Sequence, residues 1–119
     1  MKILIAEDDI VSQMVLTALI PRNHSFKLVE NGADAIAKFK AALDAQAPFD
    51  IVLMDLYMPE MNGLDALSAI KAMNSNARIY VTSTCLEYET ITSSMTVNGA
   101  DGFIIKPVTK AKLQEILGP

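Results

Sequence analysis

The sequence predicts an α/β domain built on a doubly wound parallel sheet, and three observations lead there. Five short apolar runs recur along the chain, each followed by a stretch with helical periodicity. Three of the runs, at residues 3–6, 51–54 and 103–105, are apolar without alternation, as in strands covered on both faces. The length, 119 residues, suits one core, so a single domain over residues 1–119 is expected. Strict alternation of strand and helix then implies parallel strands joined by crossovers, with helices on both faces of the sheet.

The elements follow in order. Ile3, Leu4, Ile5 and Ala6 form the first strand. Val11, Met14, Val15, Ala18 and Leu19 form one apolar stripe of a helix that Pro21 ends, and that stripe is expected to face the core. The second run, at 26–29, contains Lys27 and reads as an edge strand. Ala35, Ile36, Phe39 and Leu43 make the next helical stripe after Asn31-Gly32, with Pro48 beyond its end. A third strand at 51–54 precedes a helix carrying Leu64, Leu67, Ala69, Ile70 and Met73 after Gly63. The fourth strand covers 79–81, and Ile91, Met95 and Val97 form a weaker, Thr- and Ser-rich fourth helical stripe. A fifth strand at 103–105 leads to a last helix with Thr109 as N-cap and Leu113, Ile116 and Leu117 on its apolar face. Periodicity alone leaves the strand order open.

Composition excludes several classes. An apolar share of 51% rules out a disordered tail. No apolar run approaches the roughly 18–20 residues of a membrane span, and the first residues lack a signal peptide's hydrophobic stretch. A single cysteine, Cys85, permits no internal disulfide and fits a reducing compartment, so a cytoplasmic location is expected. Lysines are dispersed and the net charge is −4, which argues against direct nucleic-acid binding.

The chemistry gathers where the strands end. The first run ends in Glu7-Asp8-Asp9, the third in Asp55, the fourth in Thr82-Ser83 and the fifth in Lys106-Pro107. In open α/β sheets ligands sit outside the carboxyl ends of the strands, so these groups would share one small cleft. Clustered carboxylates repel one another unless a counter-charge intervenes. A hard divalent cation such as Mg²⁺ suits carboxylate, water and phosphate oxygens, whereas one histidine and one cysteine do not make a zinc site. Taken singly, each feature also reads as a solvated turn, a cap or a strand end.

The stretches KILIAEDD, DIVLMDLYMPEMNGLDAL, VTS and GADGFIIKP, in that order, resemble the receiver domain of two-component response regulators across essentially the whole chain. The resemblance implies a flavodoxin-like, five-stranded parallel sheet of order 2-1-3-4-5 with five helices. By the same resemblance Asp55 is the phosphoacceptor, Asp8 a direct Mg²⁺ ligand, Glu7 its neighbour acting through water, and the Tyr57 backbone carbonyl a further ligand. Thr82 corresponds to the hydroxyl that binds a phosphoryl oxygen, Lys106 to the lysine paired with the phosphoryl group, and Phe103 to a switch aromatic. The Lys106–Pro107 peptide is expected to be cis. The implied partners are a sensor histidine kinase or histidine phosphotransfer protein and an output protein or domain outside this chain. No membrane contact is expected, and no enzymatic activity beyond the chain's own phosphorylation and dephosphorylation.

Asp55 is ionised at neutral pH and needs no base, so positioning and charge neutralisation would be the main requirements. Pro59 and Gly63 would shape the adjacent loop, glycine by allowing a sharp turn. Ser83 stands where many relatives have alanine, and Tyr57 and Thr84 occupy positions that tune dephosphorylation in the family. A Mg²⁺-dependent phosphohydrolase would need an acid where Tyr57 stands, and a flavin site would not tolerate Glu7-Asp8-Asp9 beside phosphate. The remaining alternative is a receiver fold used for docking or dimerisation without phosphorylation.

Overall fold

The computed structural model describes residues 1–56, 58, 63–83 and 99–118. The elements run β1 (Lys2–Ala6), α1 (Ile10–Leu19), β2 (Ser25–Val29), α2 (Gly32–Asp44), β3 (Ile51–Asp55), α3 (Gly63–Met73), β4 (Arg78–Ser83), β5 (Gly102–Ile105) and α4 (Lys110–Leu117). All five strands are parallel, in the order β2-β1-β3-β4-β5. The described residues hold four helices. The expected stripe of Ile91, Met95 and Val97 falls outside them.

Side-chain alternation divides the core between the two faces of the sheet. Leu4, Ala6, Val52, Met54, Ile79 and Val81 face Ala35, Phe39 and Ala42 of α2 and Ala66, Leu67 and Ile70 of α3. Ile3, Ile5, Ile51, Leu53 and Ile104 face Leu16 of α1 and Leu113 and Leu117 of α4. β3 is buried along its whole length, which is why its sequence shows no polar alternation. β2 is the edge strand that Lys27 suggested. β5 is the opposite edge, as the implied strand order has it, but its faces are only partly buried and not covered on both sides as its apolar run suggested.

A second expectation is overturned at α1. Of its stripe, Val11, Met14, Val15 and Ala18 face solvent; only Leu19 packs on the core, beside buried Leu16 and Ile20 just beyond the helix end. Gln13 and Thr17 occupy the inward flank instead. Gln13 Nε2 donates to the Glu7 carbonyl at 2.7 Å, and the Thr17 hydroxyl donates to the Gln13 carbonyl at 2.8 Å. Gln13 turns inward because the loop after β1 has a carbonyl that needs a partner, whereas Thr17 bonds within its own helix.

Gly63 plays a different part from the one expected. Its backbone is not left-handed; a Cβ there would overlap the carbonyl oxygen of Asp55. Its N–H donates to the Leu56 carbonyl at 2.8 Å, so the start of α3 lies directly against the end of β3. Helix starts are capped by side chains: Asp9 accepts from the Ser12 N–H, Asn31 from Asp34 and Thr109 from Lys112. No described helix is long and apolar enough to cross a membrane. Replacing Asn31 by alanine should cost about 1 kcal/mol by removing the cap. A lower urea midpoint with an unchanged denaturant slope would report this loss, and Asn31→Asp should retain most of the stability.

Candidate functional site

The site lies at the carboxyl ends of β1, β3, β4 and β5. Strand order reverses about β1, since the chain passes from β1 outward to β2 and then back to β3 on β1's other side. That reversal opens a crevice above the β1–β3 pair, where an open α/β sheet takes its ligands. Glu7 and Asp8 follow β1, and Asp55 ends β3.

Three carboxylates converge there. One oxygen each from Glu7, Asp8 and Asp55 lie within 4.8 Å of one another. Glu7 is fully buried, Asp55 nearly so, and Asp8 is exposed. At such a separation Glu7 and Asp55 repel by roughly 3 kcal/mol with an effective dielectric of about 20. Asp9, the third acid of the motif, does not join them. It caps α1, accepting from the Ser12 N–H at 2.9 Å, and this hydrogen bond holds its carboxyl below the usual aspartate value.

Lys106 supplies the counter-charge. Its Nζ lies 3.0 Å from Glu7 Oε2 and 3.5 Å from Asp55 Oδ2. Burial pulls its pKa down, but Glu7 and Asp55 together outweigh burial and hold it above the ordinary lysine value of 10.5. The Lys106–Pro107 peptide is cis. The backbone on either side of Lys106 is clamped by Lys112 of α4, whose Nζ donates to the carbonyls of Ile105 at 2.8 Å and Pro107 at 3.1 Å. The Lys106 N–H donates to the Ser83 carbonyl at 2.6 Å.

Three carboxylates against one ammonium leave the cluster with surplus negative charge. Glu7 Oε2 is buried and, although ion-paired with Lys106, sits outside hydrogen-bonding alignment with any described donor. An acceptor left short in this way, within an all-oxygen donor set, fits a hard divalent cation such as Mg²⁺.

Thr82 and Ser83 are buried at the end of β4. Thr82 pairs in register with Asp55 on one side and Ile104 on the other. Ser83 Oγ has no hydrogen-bond partner among the described residues. Phe103 is partly buried, opposite Val81, against the α2–α3 side of the core. Tyr57 and Thr84 lie outside the described residues. Gln13 and Lys112, which support the site through backbone carbonyls, carried no signal in the sequence: each is an ordinary polar residue on a helix.

Comparison with known proteins agrees with this geometry. The family model of the response regulator receiver domain matches residues 3–118. The chain belongs to the receiver domain family. It is 34% identical over 119 residues to chemotaxis protein CheY of Bacillus subtilis, covering 98% of this chain and 93% of that protein. It is also 34% identical to the sensory/regulatory protein RpfC of Xanthomonas campestris, but spans only 16% of that protein's length. Among solved structures, CheY4 of Vibrio cholerae superposes with a TM-score of 0.79 at 27% identity, covering 98% of this chain and 94% of that one. CheY in a complex from Borrelia burgdorferi gives 0.81 at 27% identity, covering 99% and 90%.

The electrostatics of this receiver domain can be tested on Lys106. Its raised pKa contributes stability that is fully present below 10.5 and lost as pH rises through the higher folded value. Nitrogen NMR of the Lys106 ammonium in metal-free protein should therefore show titration above 10.5. Glu7→Gln should lower that titration point, and so should Lys112→Met by releasing the turn. Urea midpoints should fall at alkaline pH more steeply in the wild type than in Lys106→Met.

Proposed function

We propose that this receiver domain works as the phosphoacceptor of a two-component phosphorelay, with Asp55 as the residue modified. The observation that carries the reading is the placement of Asp55 against Lys106 Nζ at 3.5 Å, in one cluster with Glu7 and Asp8. A carboxylate oxygen of Asp55 attacks the phosphorus of a phosphohistidine on a histidine kinase or phosphotransfer protein. The new O–P bond forms as the P–N bond breaks, and the imidazole nitrogen leaves with the electron pair. The product is an acyl phosphate on Asp55. Attack by water on phosphorus returns the carboxylate and inorganic phosphate, so the modified state is transient.

The residues divide the work. Asp55 is held by its nearly complete burial and by the close approach of Gly63 to its backbone. Lys106 places a positive charge where the phosphoryl oxygens gather negative charge. Thr82, adjacent in register to Asp55, offers a hydroxyl to a phosphoryl oxygen. Glu7, Asp8 and Asp55 would hold Mg²⁺, with the Tyr57 carbonyl implied by the family. When bound, Mg²⁺ supplies the remaining charge neutralisation that phosphoryl transfer requires. The Borrelia relative was solved with CheX, BeF₃ and Mg²⁺, which supports the same assignment here. The chain acts on its own Asp55 and not on a separate substrate, and its single cysteine suits a cytoplasmic setting.

The signal leaves through packing. Thr82 drawn toward a phosphoryl group vacates space beside β5, and Phe103, only partly buried, shifts into it. This biases the surface formed by β5 and α4, to which an output protein or domain binds.

Two measurements test the reading. Incubation with acetyl phosphate and Mg²⁺ should add one phosphoryl group by intact mass, lost in Asp55→Asn and without Mg²⁺. If there is neither an adduct nor Mg²⁺ binding, the fold serves docking without phosphorylation. Backbone NMR with a phosphoryl mimic should move resonances of β5 and α4 in the wild type, and much less in Thr82→Ala. An unmoved β5 would refute the switch while leaving the phosphoacceptor intact.

A further inference from the structure

We infer that Lys112 of α4 is a positioning residue for phosphoryl transfer: it fixes the backbone from which Lys106 reaches the phosphoryl group, while the cation cluster is held without it. The inference rests on the phosphoacceptor reading of Asp55.

Lys106 serves two partners in turn. At rest its Nζ lies nearer Glu7, at 3.0 Å, than Asp55, at 3.5 Å. A phosphoryl group on Asp55 brings further negative charge to that side, so the ammonium turns from Glu7 toward the new oxygens. A side chain that swings between partners keeps its aim only if its own backbone stays still. The turn cannot supply that by itself. Pro107 has no N–H to donate. Ile105 lies in an edge strand, and the Lys106 N–H points to Ser83 of β4, so alternation aims the Ile105 carbonyl toward the open edge.

Lys112 answers both deficits with one group. Its Nζ donates to the Ile105 carbonyl at 2.8 Å and to the Pro107 carbonyl at 3.1 Å. With the Lys106 N–H on the Ser83 carbonyl at 2.6 Å, the backbone is tied at three successive residues, which leaves the Lys106 side chain to move. The clamp is itself anchored. The Lys112 N–H donates to Thr109 Oγ1 at 3.3 Å, and the next residue, Leu113, is buried in the core.

A lysine at this position runs against its local setting. It stands in the first turn of α4, where the helix dipole disfavours a cation and no acid offsets it. Lys110 shares that turn, but it is exposed and screened by solvent. Among the described residues Lys112 makes no ion pair, although Glu115 follows three residues on in the same helix. Ordering so long a side chain costs entropy, and the two carbonyls are what offset it. The acids, by contrast, are placed by β1 and β3, and β4 separates β3 from the strand that Lys112 holds.

The test compares the two halves of the site in the full chain. Lys112→Met should slow phosphorylation by acetyl phosphate and Mg²⁺ by about tenfold, read by intact mass, short of the roughly 100-fold that a 1 Å misplacement costs. Its dissociation constant for beryllofluoride, from NMR titration at saturating Mg²⁺, should rise by a similar factor, while its affinity for Mg²⁺ alone does not fall. Lys112→Arg, which keeps a charged donor for the carbonyls, should recover most of both losses. Lys110→Met removes the same charge from the same turn and should match the wild type. A Lys112→Met protein as fast and as tight as the wild type, or one whose Mg²⁺ affinity falls in step, would overturn the inference. So would an equal loss in Lys110→Met, which would assign the effect to net charge. A wild type that takes neither acetyl phosphate nor beryllofluoride refutes the phosphoacceptor reading itself, and the role of Lys112 falls with it.

Discussion

Three carboxylates crowded at one rim of the sheet are the constraint around which the molecule is arranged. Glu7 and Asp55 are buried, so neither can disperse its charge into water, and Asp8 stands within the same cluster. Lys106 answers part of this charge by reaching both buried acids. The part left over makes the site receptive to a divalent cation and to a group whose transfer needs positive charge already in place.

Holding such a cluster demands a stiff frame. β1 and β3, at the centre of the sheet, carry the acids at their ends, and both are sealed by helices on each face. The frame is tightest at Gly63, where α3 begins against the carbonyl of Asp55 with no room for a Cβ. On the other side of the cleft, Lys112 grips the carbonyls flanking Lys106, and the Lys106 N–H reaches the Ser83 carbonyl. The active cation is thus aimed by contacts to backbone, which depend on where α4 sits and not on local sequence.

The same demand explains α1. The loop after β1 carries the acids and must also have its backbone satisfied. Gln13 serves the Glu7 carbonyl and Asp9 caps the helix, so the polar residues of α1 turn toward the protein. Leu16 and Leu19 still reach the core, but Ile10, Val11, Met14, Val15 and Ala18 are left outward. One helix therefore supports the site from its inner side while its outer side stays apolar and exposed.

The sequence by itself determined the strand and helix alternation, because five apolar runs with turn residues between them admit few other folds. It also determined which side chains meet at the cleft, since every parallel strand delivers the residue that follows it to the same rim. Periodicity could not say which way α1 faces: an apolar stripe satisfies the helix pattern equally well inward or outward. Nor could it assign β5 to an edge, because an apolar run of four or fewer residues looks the same whether one neighbour or two will cover it. The tertiary structure decided these, together with the separation of Asp9 from its two acidic neighbours and the roles of Gln13 and Lys112. All of them rest on contacts between elements distant in sequence, where the position of one backbone sets what a side chain on another can reach.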